Sequence, residues 1–206
     1  MIYLEIEAIL GALILGSTLV VQTRSYIRPM INTVVTQSVL LAVTATVIGV
    51  TTDTPDLIVL AALIVVLRGI LIRHFLDLKL PKSKMFVKES SHGVASVSIY
   101  SVIVLIFSFL LYRYLFFQIT QAPLGAIGFS MVVQGLLLIA TRRNSFAHFI
   151  GYVEEENGII FMSLTIIPLP FIVEISVLLD VLALIIVGTG LVTENVEHPR
   201  IEELMG

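Results

Sequence analysis

Residues 145–192 read SFAHFIGYVEEENGIIFMSLTIIPLPFIVEISVLLDVLALIIVGTGLV. The stretch holds two apolar runs, 145–166 and 169–192, each long enough to cross a bilayer, which takes about 20 residues. Set within them are five acids: Glu154, Glu155, Glu156, Glu174 and Asp180. A carboxylate at mid-bilayer depth costs about 2.5–3.5 kcal/mol on insertion scales. A chain that carries five of them in two consecutive segments is expected to use some. The reading that follows is a proton or cation path through a bundle of helices.

The rest of the chain has the same character. Hydrophobic residues make up 57% and charged residues 13%, against about 25% charged in soluble domains. Mean hydropathy is +1.04. Cysteine is absent, which removes disulfides, thiolate metal sites, iron–sulfur ligation and thiol nucleophiles from this chain. The four histidines, His74, His92, His148 and His198, have no metal-ligand spacing. No nucleotide, hydrolase or zinc motif occurs. The opening MIYLEIEAIL is acidic where a signal peptide would be basic, so it reads as a retained transmembrane helix.

Seven stretches are long enough to span, at about 3–21, 31–50, 56–72, 94–112, 122–140, 145–166 and 169–192. They are continuous apolar runs, so helices are expected rather than barrel strands. The fold class is therefore an all-α integral membrane protein of about seven transmembrane helices. Arg24, Arg28, Arg73, Lys79, Lys82, Lys84, Lys88, Arg142, Arg143 and Arg200 fall on one side of such a bundle. Arg113 alone falls on the other, and Arg68 lies inside the third segment. That bias puts the N-terminus outside and the C-terminus in the cytoplasm, in a multi-pass protein of the inner (cytoplasmic) membrane.

Residues 1–206 read as a single transmembrane domain. It comprises a three-helix part over 1–75, a connecting helix over 94–112 and a second three-helix part over 122–192. TRSYIRPMINTVVTQS and TRRNSFAHFIGYVEEENG each stand before a hydrophobic run. Either the two share a loop-then-helix grammar by chance, or the halves are parallel repeats.

Successive helix residues point about 100° apart, so Glu154, Glu155 and Glu156 cannot face one neighbour. His148, Tyr152 and Glu155 or Glu156 fall on one face, while Gly151 and Gly158 line another where a helix could come close. Glu154 reads as an interhelical hydrogen bond, as an ion pair with a partner subunit, or as part of the path. Arg68 reads either as a snorkelling cation or as the partner of one of the acids. Gln37, Gln134, Ser38 and Tyr100 read as buried helix–helix hydrogen-bonding groups. Desolvation disfavours a charged carboxylate, and a group poised between neutral and charged is what a proton relay needs.

Arg143-Asn144, Gly151-Tyr152, Glu156-Asn157-Gly158, Val173-Glu174-Ile175 and Asp180, with Ser25-Tyr26 and Gln37-Ser38 earlier in the chain, carry a resemblance. The chain resembles the hydrogenase-4 component E family, membrane subunits of group 4 [NiFe] hydrogenases and formate hydrogenlyase complexes. Its region 122–192 is similar, more distantly, to subunit K of complex I and the small subunit of multi-subunit Na⁺/H⁺ antiporters. Those relatives carry a membrane glutamate where Val153 stands here, with Glu156 three residues later. Glu154 and Glu155 are additional acids, and Arg68 stands where the resemblance implies lysine.

The resemblance implies a subunit without chemistry or cofactors of its own. The resemblance places Glu156, Glu174 and Asp180 in an ion path, and the reading of the buried polar groups adds Glu155, Glu154, Arg68 and His148 to it. The implied partners are antiporter-like membrane subunits, an H-like membrane anchor of the complex I type, and a peripheral hydrogenase arm holding the nickel–iron site and iron–sulfur clusters. Membrane lipid is expected around it, and nucleic acid is not. The competing readings are a purely structural membrane-arm subunit and a subunit of a related oxidoreductase or antiporter.

Overall fold

A computed structural model describes residues 2–72, 74, 94–142, 144–166, 178 and 185. Among the described residues the protein is all-helical. Helix α1 covers Ile2–Thr23, α2 Ile27–Thr51 and α3 Pro55–Ile64, which runs on as a π-helical stretch over Val65–Ile72. Helix α4 covers Val94–Leu115, α5 is the single turn Phe117–Thr120, α6 covers Gly125–Thr141 and α7 covers Ser145–Ile166. Six of the seven expected segments thus coincide with helical stretches. The seventh, 169–192, lies outside the described residues apart from Leu178 and Ile185.

Among the described residues, three helices are long and apolar enough to cross a membrane: Glu5–Thr23, Ile27–Thr51 and Ser96–Leu115. The twenty-two residues of α1 rise about 33 Å, against a hydrocarbon core of about 30 Å. Helix α6 is apolar but shorter. Helix α7 has the length but carries three glutamates. The third segment is not one regular helix, because its second half is wound as a π-helix.

The stops follow local chemistry. Pro55 opens α3 at its first turn, where its missing N–H leaves no bond unmade. Between α2 and α3 the chain turns through Asp53 in the left-handed region, at φ 52°, which short polar side chains tolerate. Three-residue links at 24–26, 52–54 and 142–144 make the helices they join antiparallel neighbours.

Each outer helix buries one stripe at helical spacing. On α1 the stripe is Ile14, Thr18, Val21 and Gln22. On α3 it is Leu57, Leu60, Ala61 and Ile64, and Arg68 continues it one turn on. On α4 it is Val97, Ser101, Ser108 and Tyr112, while Ile99, Val102, Ile103, Ile106, Phe107 and Leu110 stay exposed. An apolar exposed face of this extent is what lipid or a further subunit would cover. Helix α7 differs. It is buried on most of its circumference, by α2 on one side and α6 on another.

The α6–α7 contact explains the glycine stripe. A Cβ at Gly128 would sit 2.5 Å from the Met162 amide nitrogen and 2.6 Å from the Gly158 carbonyl oxygen. One at Gly135 would sit 2.6 Å from the Gly151 carbonyl oxygen. Gly128 and Gly135 thus meet Gly158 and Gly151 backbone to backbone, with the same spacing on both helices. In a bilayer, where burying apolar side chains gives little drive, this close approach gains dispersion contacts instead.

Candidate functional site

The stripe on α3 ends in Arg68, which is 1% exposed. Its Nη2 donates to Glu156 Oε2 at 3.0 Å, and Glu156 is itself 3% exposed. Its Nη1 donates to Asn157 Oδ1. Of the two readings of Arg68, partner or snorkel, the structure therefore shows the partner. The guanidinium fork suits the place, since its two arms reach successive residues of α7 whose side chains point about 100° apart.

From Asn157 a line of hydrogen bonds crosses the bundle. Asn157 Nδ2 donates to Gln37 Oε1 at 2.8 Å and to Ser38 Oγ at 3.1 Å, both on α2. Gln37 Nε2 donates to Thr18 Oγ1 on α1 at 2.8 Å. The Thr18 hydroxyl reaches the Ile14 carbonyl oxygen at 3.3 Å. The polarity is consistent along the line: a cation at one end, amides donating away from it, a hydroxyl at the other. Beside Arg68 a cavity of about 10 Å³, lined also by Ser38, Val34 and Val153, has room for one water at most.

The three glutamates divide as the helical wheel requires. Glu156 faces Arg68. Glu155 is half-buried, with its backbone nitrogen against Gly135 of α6. Glu154 is fully buried, and neither carboxyl oxygen has a hydrogen-bond partner among the described residues. The Thr18 hydroxyl lies beside it without meeting hydrogen-bond geometry. Thr18 thus stands between Glu154 and the line that ends in Arg68 and Glu156.

A second group of polar contacts sits at the loop end. Arg142, read from sequence as a loop cation, is 2% exposed, and its Nη2 donates to the Gln22 carbonyl oxygen at 2.7 Å. Gln22 Nε2 donates to the Gln134 carbonyl oxygen at 2.8 Å. Gln134 and Ser101 exchange two bonds, at 2.7 and 2.8 Å. His148 bonds the Arg142 carbonyl oxygen through Nε2. His148 thus reaches back to the turn into α7, while Glu156 meets Arg68.

Gln37, Ser38 and Gln134 make the helix–helix bonds expected of them. Tyr100 is half-exposed on α4. Asn157, in the Glu156-Asn157-Gly158 motif, joins the polar contacts, as do Thr18, Gln22 and Ser101, which the sequence does not single out. Their one sequence signal is a polar residue at stripe spacing in an apolar helix. Glu174 and Asp180 lie outside the described residues.

Helices α2 and α7 run parallel and in step. Ser38 and Gln37 meet Asn157, and Ile31, Val34 and Val35 line one cavity with Phe149, Ile150 and Val153.

Comparison with protein-family models, with curated proteins and with solved structures returns no match to this chain.

Proposed function

We propose that this chain is a membrane-arm subunit of a complex I-like membrane-bound hydrogenase, and that its buried acids form part of a proton or sodium path coupled to electron transfer. The observation that carries the reading is the Arg68–Glu156 pair. It lies sealed in the bundle, at the mid-length of the most enclosed helix, and is joined by Asn157, Gln37 and Thr18 to the neighbourhood of a second buried acid. Buried ion pairs are weak sources of stability, because desolvation offsets most of the attraction. An apolar packing element has no need of one, whereas an ion path needs fixed charge beside titratable groups.

In this reading the chain has seven spans, the N-terminus outside and the C-terminus in the cytoplasm, in the inner membrane. It holds no cofactor, and the nickel–iron site and iron–sulfur clusters belong to a peripheral arm. The exposed apolar face of α4 meets lipid, antiporter-like neighbours or the H-like anchor of the complex I type. Glu156, Glu154, Glu155 and Arg68 supply the described part of the path, and Glu174 and Asp180 the rest.

One observation favours a structural subunit instead. Asn157 uses its amide and carbonyl on three partners, so the line also acts as interhelical glue. Purification in mild detergent through a tag on this chain tests the assembly. Recovery with antiporter-like and metal-bearing electron-transfer subunits is expected. Recovery of the chain alone, from membranes where it is functional, would overturn the reading.

A further inference from the structure

Two acids lie fully inside the described bundle, and their surroundings are opposite. Glu156 shares an ion pair with Arg68. Glu154, two residues earlier on α7, has no cation among the described residues. The helices packed around α7 offer it none: α6 contains no charged residue, α1 has only Glu5 and Glu7 near its start, and α2 has only Arg28, in its first turn. Arg68 on the π-helical stretch gives its two arms to Glu156 and Asn157, and Tyr152 packs against the apolar cluster around Ile31, Val34 and Phe149.

Neither Glu154 Oε1 nor Glu154 Oε2 has a hydrogen-bond partner among the described residues, nor does Gln22 Oε1, one turn beyond Thr18 on α1; the buried guanidinium at that end, Arg142, gives its Nη2 to the Gln22 carbonyl oxygen. Acceptors left bare in an apolar interior are costly, and a lone charge far more so. A hydrogen on the carboxyl removes the charge and turns one of the acceptors into a donor. A metal cation would need several oxygen ligands, and among the described residues no group of three or more histidine or carboxylate side chains stands together to hold one.

We infer that Glu154 is the exchangeable proton-binding site of this bundle, and that the Arg68–Glu156 pair is a fixed charge which does not exchange its proton. This deepens the ion-path reading and rests on it for its purpose. In the resting state Glu154 is a neutral carboxylic acid. Loss of its proton leaves a carboxylate, toward which the Thr18 hydroxyl turns from the Ile14 carbonyl. Gln37 and Asn157 hold Thr18 in place through their amides. Amides do not pass protons on as hydroxyls do, so the line orients the site while keeping its proton apart from Glu156.

The test is the infrared carbonyl band of protonated carboxylic acid, read on the purified full assembly in H2O and D2O at neutral pH. Glu154→Gln is expected to remove one deuterium-sensitive protonated-acid band, and Glu156→Gln to leave that band intact. A band lost with Glu156→Gln, or an unchanged spectrum with Glu154→Gln, overturns the inference. Thr18→Val keeps the acid and removes its nearby hydroxyl. It is expected to shift the same band to higher frequency, and no shift would count equally against the site, including where Glu154→Gln fails to accumulate. Because the band is read without turnover, its outcome is separate from the ion-path reading. A lost band with undiminished translocation would refute the path and keep the site.

Discussion

Arg68 and Glu156, 88 residues apart in the chain, meet at 3.0 Å in the interior of the bundle. They tie the third helical segment to α7, a pair of elements otherwise joined through α2. The contact brings together a cation at the end of an apolar stripe and an acid on the helix with the most buried circumference.

Removing one partner of this pair leaves a buried, uncompensated charge. Arg68→Met is expected to destabilise the assembly by about 3–5 kcal/mol. Arg68→Met combined with Glu156→Leu, which removes both charges, is expected to recover most of that loss. Thermal unfolding followed by size-exclusion recovery measures both. Equal loss in the single and the double variant would mean that the pair is not coupled.

Asn157 joins three helical elements, so its loss reaches further than that of Ser38. Asn157→Leu removes the acceptor of Arg68 and the donors to Gln37 and Ser38. A hydrogen bond to a charged group contributes about 1.5–3 kcal/mol and a neutral one about 0.5–1.5 kcal/mol. The expected result is a lower melting temperature than for Ser38→Ala, whose hydroxyl only seconds the Gln37 contact. The same recovery assay ranks the two.

Gly135 and Gly16 separate close helix approach from helix propensity. A methyl at Gly135 would press into the backbone of α7, at 2.6 Å from the Gly151 carbonyl and 2.7 Å from the Glu155 nitrogen. Overpacking of this kind costs about 1–3 kcal/mol. Gly16 has nothing within 4 Å of such a methyl, so Gly16→Ala is expected to be neutral or slightly stabilising. Parallel melting curves of the two alanine variants decide it.

The basic residues carry the orientation, which a reporter can read. An enzyme fused after Gly206 that is active only in the cytoplasm is expected to be active, and one fused before Met1 is expected to be silent. The reverse pattern would undo the seven-span topology.

Much of the architecture is legible in the sequence because long apolar runs bounded by basic loops and proline have one structural solution in lipid. Gly151 and Gly158 signal a close helix, and Gly128 and Gly135 supply it. Arg68 narrows to two readings, since its place on the Leu57–Ile64 stripe argues for burial and its nearness to the loop argues for snorkelling. Only the position of Glu156 across the bundle decides between them. Arg142 is illegible because an Arg-Arg pair after a span reads as a loop, whatever either side chain reaches. The separation of Glu154 from Glu156 depends on the neighbours of each. A helical wheel shows that the two diverge, but not that one meets arginine and the other a threonine. The π-helical winding after Ile64 has no cue in VVLRGILI that we can identify.

The central claim is that these acids serve an ion path, Glu156 as the fixed charge paired with Arg68, rather than only hold helices together. Glutamine keeps the size and much of the hydrogen bonding of glutamate but removes its charge and its titratable proton, so the decisive measurement is ion translocation in proteoliposomes. The purified complex should be compared with Glu156→Gln and Glu174→Gln, alongside electron transfer measured with artificial carriers. Both variants are expected to assemble and to keep electron transfer while losing most coupled ion translocation. Translocation at the wild-type rate in both would contradict the account and leave the acids as interhelical glue.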